Sequence, residues 1–245
     1  MQLNFVSMTV HGELNDFVSR DRRIPCLEYG VKGHPSVKDV IESFGIPHPE
    51  VCFIYVNGES VGFDIQVEHQ DKIEVFPVSQ LAASGQSQCV LPFRPEQTRF
   101  LLDVHLGGLT RLLRLAGIDA KFEKDDPGDE VLARISSEDD RILLTRDINL
   151  LKRSVVRYGY WLRKTGSKNQ FREIVDRYDL RPLFKPFSRC AHCNELVMPV
   201  EKSDIAERVR ADTLIYFNQF WICPACEHIY WKGSHFERIK ALLFY

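Results

Sequence analysis

Two apolar runs in the middle of the chain each close on an aspartate: Arg99-Phe100-Leu101-Leu102-Asp103, and Arg141-Ile142-Leu143-Leu144-Thr145-Arg146-Asp147. Runs of Leu, Ile and Phe this short, bounded by charged residues, read as strands buried on both faces of a parallel sheet. Such sheets bind ligands beyond the carboxyl ends of their strands, which would put these two acids in one crevice. Crowded carboxylates repel one another and call for a cation. Hard oxygen donors suit Mg²⁺ or Mn²⁺, whose usual partners in such places are phosphates, so the pattern points to metal-dependent phosphodiester chemistry. The plainer reading makes each Asp the N-cap of the helix after its strand. A single acid would favour the cap; two acids after similar strands favour a site. A metal nuclease needs a third carboxylate, and Asp125, Asp126, Asp129 and Glu130 compete for that role. Asp126, just before Pro127, reads as the cap of the intervening helix, which leaves Asp129, with Glu130 next. Asn149, two residues after Asp147, reads as the holder of a metal-bound water or as a helix-start cap.

The second set of chemical residues is sulfur. Cys190-Ala191-His192-Cys193 and Cys223-Pro224-Ala225-Cys226 form two CxxC knuckles, and four thiolates so spaced can surround one Zn²⁺ tetrahedrally. A closed sulfur shell makes the metal structural. A pair of redox or idle CxxC sequences is the alternative, and Pro224 with its strand-like neighbours fits a zinc ribbon better. His192 and His228 flank the thiols, with no spacing that favours them as ligands. Cys26, Cys52 and Cys89 have no partner spacing and read as core or incidental residues. Cysteines used this way suit a reducing compartment, and the cytoplasm is the expected location. No basic region followed by an apolar core opens the chain, and no apolar stretch is long enough to cross a bilayer.

The net charge of −2 hides an uneven distribution. Residues 1–80 hold 6 Lys/Arg against 12 Asp/Glu, whereas 148–189 carry 11 Lys/Arg and 3 Asp/Glu. In and beside that stretch Arg146, Lys152, Arg153, Arg157, Arg163 and Lys164 stand among Tyr158, Tyr160, Trp161 and Phe171. Cations neutralise phosphates and aromatic rings offer stacking faces, so this is the footprint of an RNA contact. A solvated helix face with core aromatics is the alternative. The acidic first segment could also dock on the basic one, or on a protein partner.

These groups need elements to position them. Residues 1–80 read as a small mixed fold: a strand over 2–10, a helix opened by Ser36 and stopped at Gly45-Ile46-Pro47, and strands over 51–56 and 72–78 joined through Asn57-Gly58. Residues 81–97, with Ala82-Ala83-Ser84-Gly85-Gln86-Ser87, read as a linker. Residues 98–186 alternate strand and helix in the order βαβαβαβα: strands at 99–103, 120–123, 141–145 and 158–162, helices at 106–116, 126–135, 149–154 and 167–178. Residues 187–245 carry the cysteine knuckles and end in an expected helix over 234–243.

The first segment, with Pro35-Ser36-Val37-Lys38-Asp39-Val40-Ile41-Glu42, Val56-Asn57-Gly58 and Asp71-Lys72-Ile73-Glu74-Val75-Phe76-Pro77, resembles the ubiquitin-like, β-grasp sulfur carriers. Those carriers end in a free Gly-Gly, but here Pro77-Val78-Ser79-Gln80 runs on, so the likeness implies the fold and not conjugation. Further along, Phe100-Leu101-Leu102-Asp103, Leu106-Gly107-Gly108-Leu109, Leu112-Leu113-Arg114-Leu115-Ala116-Gly117, the run ending at Asp147, Arg189-Cys190-Ala191-His192-Cys193-Asn194 and Tyr230-Trp231-Lys232-Gly233-Ser234-His235 resemble the PIN-like RNase domain at the carboxyl end of the mutator exonuclease. Bacterial members often carry a ubiquitin-like domain in front. The resemblance implies an α/β architecture of β-grasp domain, PIN-like parallel sheet and zinc ribbon. It also implies an Mg²⁺- or Mn²⁺-dependent site that cuts RNA to leave 5′-phosphates. Asp103 and Asp147 carry over directly; Asp129 has several possible alignments. A fourth acid, usual in PIN domains, does not follow Asp147.

Two other readings compete. A phosphatase that phosphorylates Asp103 would want an acid two residues on, where His105 stands. An RNA-binding or adaptor protein would use the ribbon and basic stretch for grip and leave the acids without catalysis. Divalent metal held through Asp103 and Asp147 separates the nuclease from the adaptor.

Overall fold

A computed structural model describes residues 4–19, 21, 26–77, 79, 89–90 and 98–233. They fall into two compact units, 1–97 with 127–162, and 98–126 with 163–245. The expected linker over 81–97, apart from 89–90, and the expected helix over 234–243 lie outside the described residues.

In the first unit, β1 (Phe5–Val10), β2 (Leu27–Gly30), β3 (Val51–Val56), β4 (Glu59–Ser60) and β5 (Lys72–Pro77) form one sheet in the order β2-β1-β5-β3-β4. The first and last strands run parallel at its centre, the hallmark of a β-grasp, and α1 (Val37–Ser43) buries Val37, Val40 and Ile41 on it. Ser36 starts that helix as the sequence predicts. Its hydroxyl accepts from the Asp39 amide at 3.2 Å while Asp39 accepts from the Ser36 amide at 2.9 Å, a reciprocal capping box. Asn57 and Gly58 take left-handed conformations, but the hairpin they turn joins β3 to the short β4, not to β5. The strand β2 has no strong alternation to mark it in the sequence. Cys52 is a core residue, one of the two roles the sequence leaves open, but it does not lack a partner: it is joined to Cys89 as a disulfide, and Val90 donates to the Cys52 carbonyl. Their separation of 37 residues leaves no sequence signal.

The same unit holds α3 (Asp129–Glu138), β8 (Ile142–Thr145), α4 (Ile148–Leu151) and β9 (Gly159–Trp161). The four residues of β8 are all buried, as their apolar run requires, and β8 pairs in parallel with β9. Expected helix starts shift here. Asp126 is exposed in the preceding loop, and α3 opens at Asp129 with Gly128 as its N-cap at φ 80°. A left-handed residue at that position suits glycine, so Gly128 and not Asp126 sets the boundary. α4 is a single turn, shorter than the 149–154 expected.

In the second unit, β6 (Arg99–Leu102) pairs in parallel with β7 (Asp119–Phe122). Between them α2 (Gly107–Leu115) buries Leu109, Leu113 and Leu115 and packs against α5 (Ser167–Tyr178). Gly117 ends α2 at φ 86°, where a Cβ would collide with the Lys185 carbonyl. Chain order through both units is thus βαβαβαβα. The remaining strands, β10 (Met198–Val200), β11 (Phe220–Ile222) and β12 (Ile229–Trp231), form an antiparallel ribbon, with α6 (Lys202–Ile205) and α7 (Ala211–Tyr216) inserted between the knuckles.

Candidate active site and metal centre

Both strand-end aspartates are caps. Asp103, 9% exposed after the buried β6, accepts from the His105 amide at 3.2 Å and starts a 3-10 turn, Val104–Leu106. Asp147, exposed after β8, accepts from the Asn149 amide at 2.7 Å and the Leu150 amide at 3.4 Å. Both bonds land on Oδ1, so capping occupies one carboxylate oxygen. A cap and a metal ligand are therefore compatible roles for this side chain. The Asp147 amide in turn donates to Thr145 Oγ1 at 2.9 Å, which fixes the turn. Asn149 supplies its backbone N–H to the cap; the cap itself is Asp147. Asp129, the first residue of α3, lies 3.9 Å from the Arg153 guanidinium. Both side chains are about four-tenths exposed, so solvent leaves this pair worth roughly 0–1 kcal/mol. Asp103 belongs to the second unit, Asp129 and Asp147 to the first.

The basic residues have varied engagements. Lys152 donates to the Glu42 carbonyl at 2.7 Å, and burial holds its ammonium below the ordinary lysine range, partly offset by the Glu42 charge. Arg153 faces Asp129, and Arg157 lies 3.7 Å from Asp140. Arg146 is exposed, its carbonyl accepting the Trp161 indole N–H at 3.1 Å. In the second unit Glu173 accepts the amides of Arg163 and Lys164 at 2.8 and 2.9 Å, shaping the segment that carries both cations.

The thiols do come together. Cys190, Cys193, Cys223 and Cys226 place their sulfurs within 4.8 Å of one another, with contacts of 3.3, 3.4 and 3.6 Å. Four sulfurs about 2.3 Å from a central Zn²⁺ sit about 3.8 Å apart, so this set could hold a metal such as zinc. Burial opposes ionisation of Cys190, but the Tyr230 hydroxyl and the amides of Cys193 and His192 outweigh it and bring its thiol down to about 7. Burial and adjacent thiols push Cys193 up to about 12. Of these two thiols Cys190 ionises the more readily, and a bound cation would stabilise thiolate ligands. The His192 and His228 rings lie 4.6 Å apart beside the cluster.

One cation beside this cluster escaped the sequence reading. Arg114 is 4% exposed on α2, and its guanidinium donates to the carbonyls of Ala120 at 2.8 Å, His192 at 2.6 Å and Ala191 at 3.4 Å. It ties the first knuckle to β7 and puts positive charge beside the thiols. Asn194, left-handed at φ 75°, completes the junction: its amide oxygen accepts from the Ala120 amide and its nitrogen donates to Asp119. The signal available was an arginine in the otherwise apolar Leu112-Leu113-Arg114-Leu115.

Residues 98–243 match the Mut7-C RNAse domain family. The chain belongs to that family. Residues 3–83 of this Mut7-C protein match a second family, Mut7-C ubiquitin, in keeping with the β-grasp topology. The RNAse family points to a ribonuclease-type function. Two solved structures of small archaeal modifier protein 1 from Haloferax volcanii are similar to the Mut7-C protein at 15% identity and a TM-score of 0.25. They match 30% of it, and 93% and 97% of their own chains. No curated protein matches. Among the described residues, no helix is long and apolar enough to cross a membrane.

Proposed function

We propose that this chain is a metal-dependent ribonuclease that hydrolyses RNA phosphodiester bonds, with Asp103, Asp129 and Asp147 as its acids. The observation that carries the reading is the family match over 98–243, with Asp103 and Asp147 each at the carboxyl end of a parallel strand. The donor set fits a hard cation: carboxylate oxygens, with one oxygen of Asp147 outside its capping bonds. The three aspartates would hold Mg²⁺ or Mn²⁺, which when bound lowers the pKa of water and offsets charge on the scissile phosphate. Because the Asp129–Arg153 pairing is exposed, Asp129 would give it up for a cation at small cost. Arg153 would then join Arg146 and Arg157 as counter-charges for the RNA backbone, with Arg163 and Lys164 as further cations of the chain; Lys152, held by Glu42, would contribute least. Zinc in the four-cysteine shell is structural in this reading, and the protein works in the cytoplasm.

The test is incubation of the purified protein with labelled single-stranded and structured RNA in Mn²⁺, Mg²⁺ or EDTA, beside an Asp103→Asn, Asp147→Asn double variant. Metal-dependent cleavage lost in the variant is the expected result. RNA bound but uncut in every condition would make the chain an adaptor.

A further inference from the structure

The Asp147 turn is held by the β-grasp domain through a relay of two residues, all within the first unit. Glu50 closes the short 3-10 turn His48–Glu50 before β3, is 0% exposed, and its carboxylate accepts the backbone N–H of Trp161 at 2.7 Å. A buried carboxylate that accepts a main-chain amide makes a strong, directional bond. Trp161, so fixed, packs its ring 5.2 Å from Phe17 of the β-grasp core and donates its indole N–H to the carbonyl of Arg146, the residue before Asp147. On the other side of the turn, Ile148 packs against the same core. Leu162 donates to the Thr145 carbonyl at 2.9 Å, and Thr145 is fully buried. His48 and Lys152 extend the seam: the His48 ring contacts the Val156 carbonyl at 2.8 Å and Glu42 at 2.7 Å, and Lys152 bonds the Glu42 carbonyl.

We infer that Glu50 and Trp161 are positioning residues for Asp147, and that the β-grasp domain serves the proposed reaction as an intramolecular brace. The inference rests on the ribonuclease reading for its catalytic half. A metal-ligating carboxylate misplaced by an ångström loses much of its effect, so fixing the backbone beside Asp147 has a use that fold stability alone does not demand. Trp161→Phe keeps the ring against Phe17 and removes only the indole donor.

The experiment uses the full chain and two readouts. Peptide-resolved hydrogen exchange over 145–151 should accelerate about tenfold in Trp161→Phe and in Glu50→Ala, with Glu50→Gln closer to wild type because its amide oxygen still accepts. In RNA cleavage, Trp161→Phe should lower kcat by about 10- to 100-fold with KM for RNA little changed, and should raise the Mn²⁺ concentration at half-maximal rate. Unchanged exchange overturns the inference while leaving the active-site reading intact. Faster exchange with unchanged kcat and Mn²⁺ requirement also overturns it, reducing the relay to fold stability. A wild-type protein that cuts no RNA overturns the ribonuclease reading and the catalytic half of the inference with it, and the exchange data tell that failure from the first.

Discussion

Strands β7 and β9 each have a backbone N–H accepted by a side chain of an appended module, and the two modules do it with opposite chemistry. On β7 the acceptor is the neutral amide of Asn194, offered by a cysteine knuckle, and the junction is completed by the Arg114 cation. On β9 the acceptor is the Glu50 carboxylate, offered by a domain with a hydrophobic core of its own. A strand pair that leaves outward N–H groups bare invites further strand pairing, and both modules blunt that hazard. What differs is the source of rigidity. Among its described residues the ribbon buries few apolar side chains and gathers around four thiols that could hold a metal; the β-grasp draws its order from Val6, Met8, Ile41, Ile54 and their neighbours.

The largest effect should come from breaking the first junction alone. Stripping metal with a chelator should remove a binding free energy of about 10–16 kcal/mol, the range for structural zinc at neutral pH, and Cys193→Ser should remove part of it. Hydrogen exchange should then rise over 189–232 and 119–122 and stay at wild-type levels over 48–56 and 143–161. An equal rise in both would erase the contrast. Elemental analysis of the untreated protein should give one zinc per chain.

Next comes Arg114→Met, which strands three carbonyls beside the thiols and should cost about 3 kcal/mol, read as a shift in urea midpoint. Arg114→Lys should restore little, because one ammonium cannot reproduce the fork. On the other junction, Glu50→Ala leaves the Trp161 N–H without its carboxylate and should cost about 2 kcal/mol in the same assay.

The smallest effect belongs to a site touching neither junction. Ser36→Ala should cost about 1 kcal/mol through the lost cap. Its hydroxyl, with the Ser36 amide, holds the Asp39 carboxyl below the usual 3.8. A depressed carboxyl contributes stability that is present above its ordinary value and fades as pH falls through the folded one. The gap between variant and wild type should therefore be full at pH 6 and narrow below pH 3.8, as denaturation curves across that range can show.

The sequence was informative where a local pattern carries its own physics. Buried runs became β6 and β8, Ser36 became a capping box, Gly117 ended α2, and two CxxC pairs became one thiol cluster. For the two strand-end aspartates the sequence favours metal ligands over caps, and capping is the role visible in their hydrogen bonds. Legibility failed where a residue acts across a long separation. Glu50 and Trp161 lie 111 positions apart, Arg114 and His192 lie 78 apart, and Cys52 meets Cys89 without any motif. Asp126 misled because Asp before Pro imitates a helix start, while Gly128 could reach a backbone angle that Asp126 was not required to take.

The compact first unit crosses the boundary that the two family matches suggest, since 127–162 packs with the first 97 residues. Gly159 shows how closely: a methyl there would meet Leu151 of α4 at 2.6 Å and Pro49 of the β-grasp at 3.5 Å. The front domain is accordingly no detachable bead. A truncated protein beginning at Thr98 would keep the whole RNAse match yet bare Ile148 and Trp161 to water and remove the acceptors of Lys152 and the Trp161 amide. Gene fission between the two family matches would yield two sticky halves, which gives selection a physical reason to inherit the pair as one reading frame.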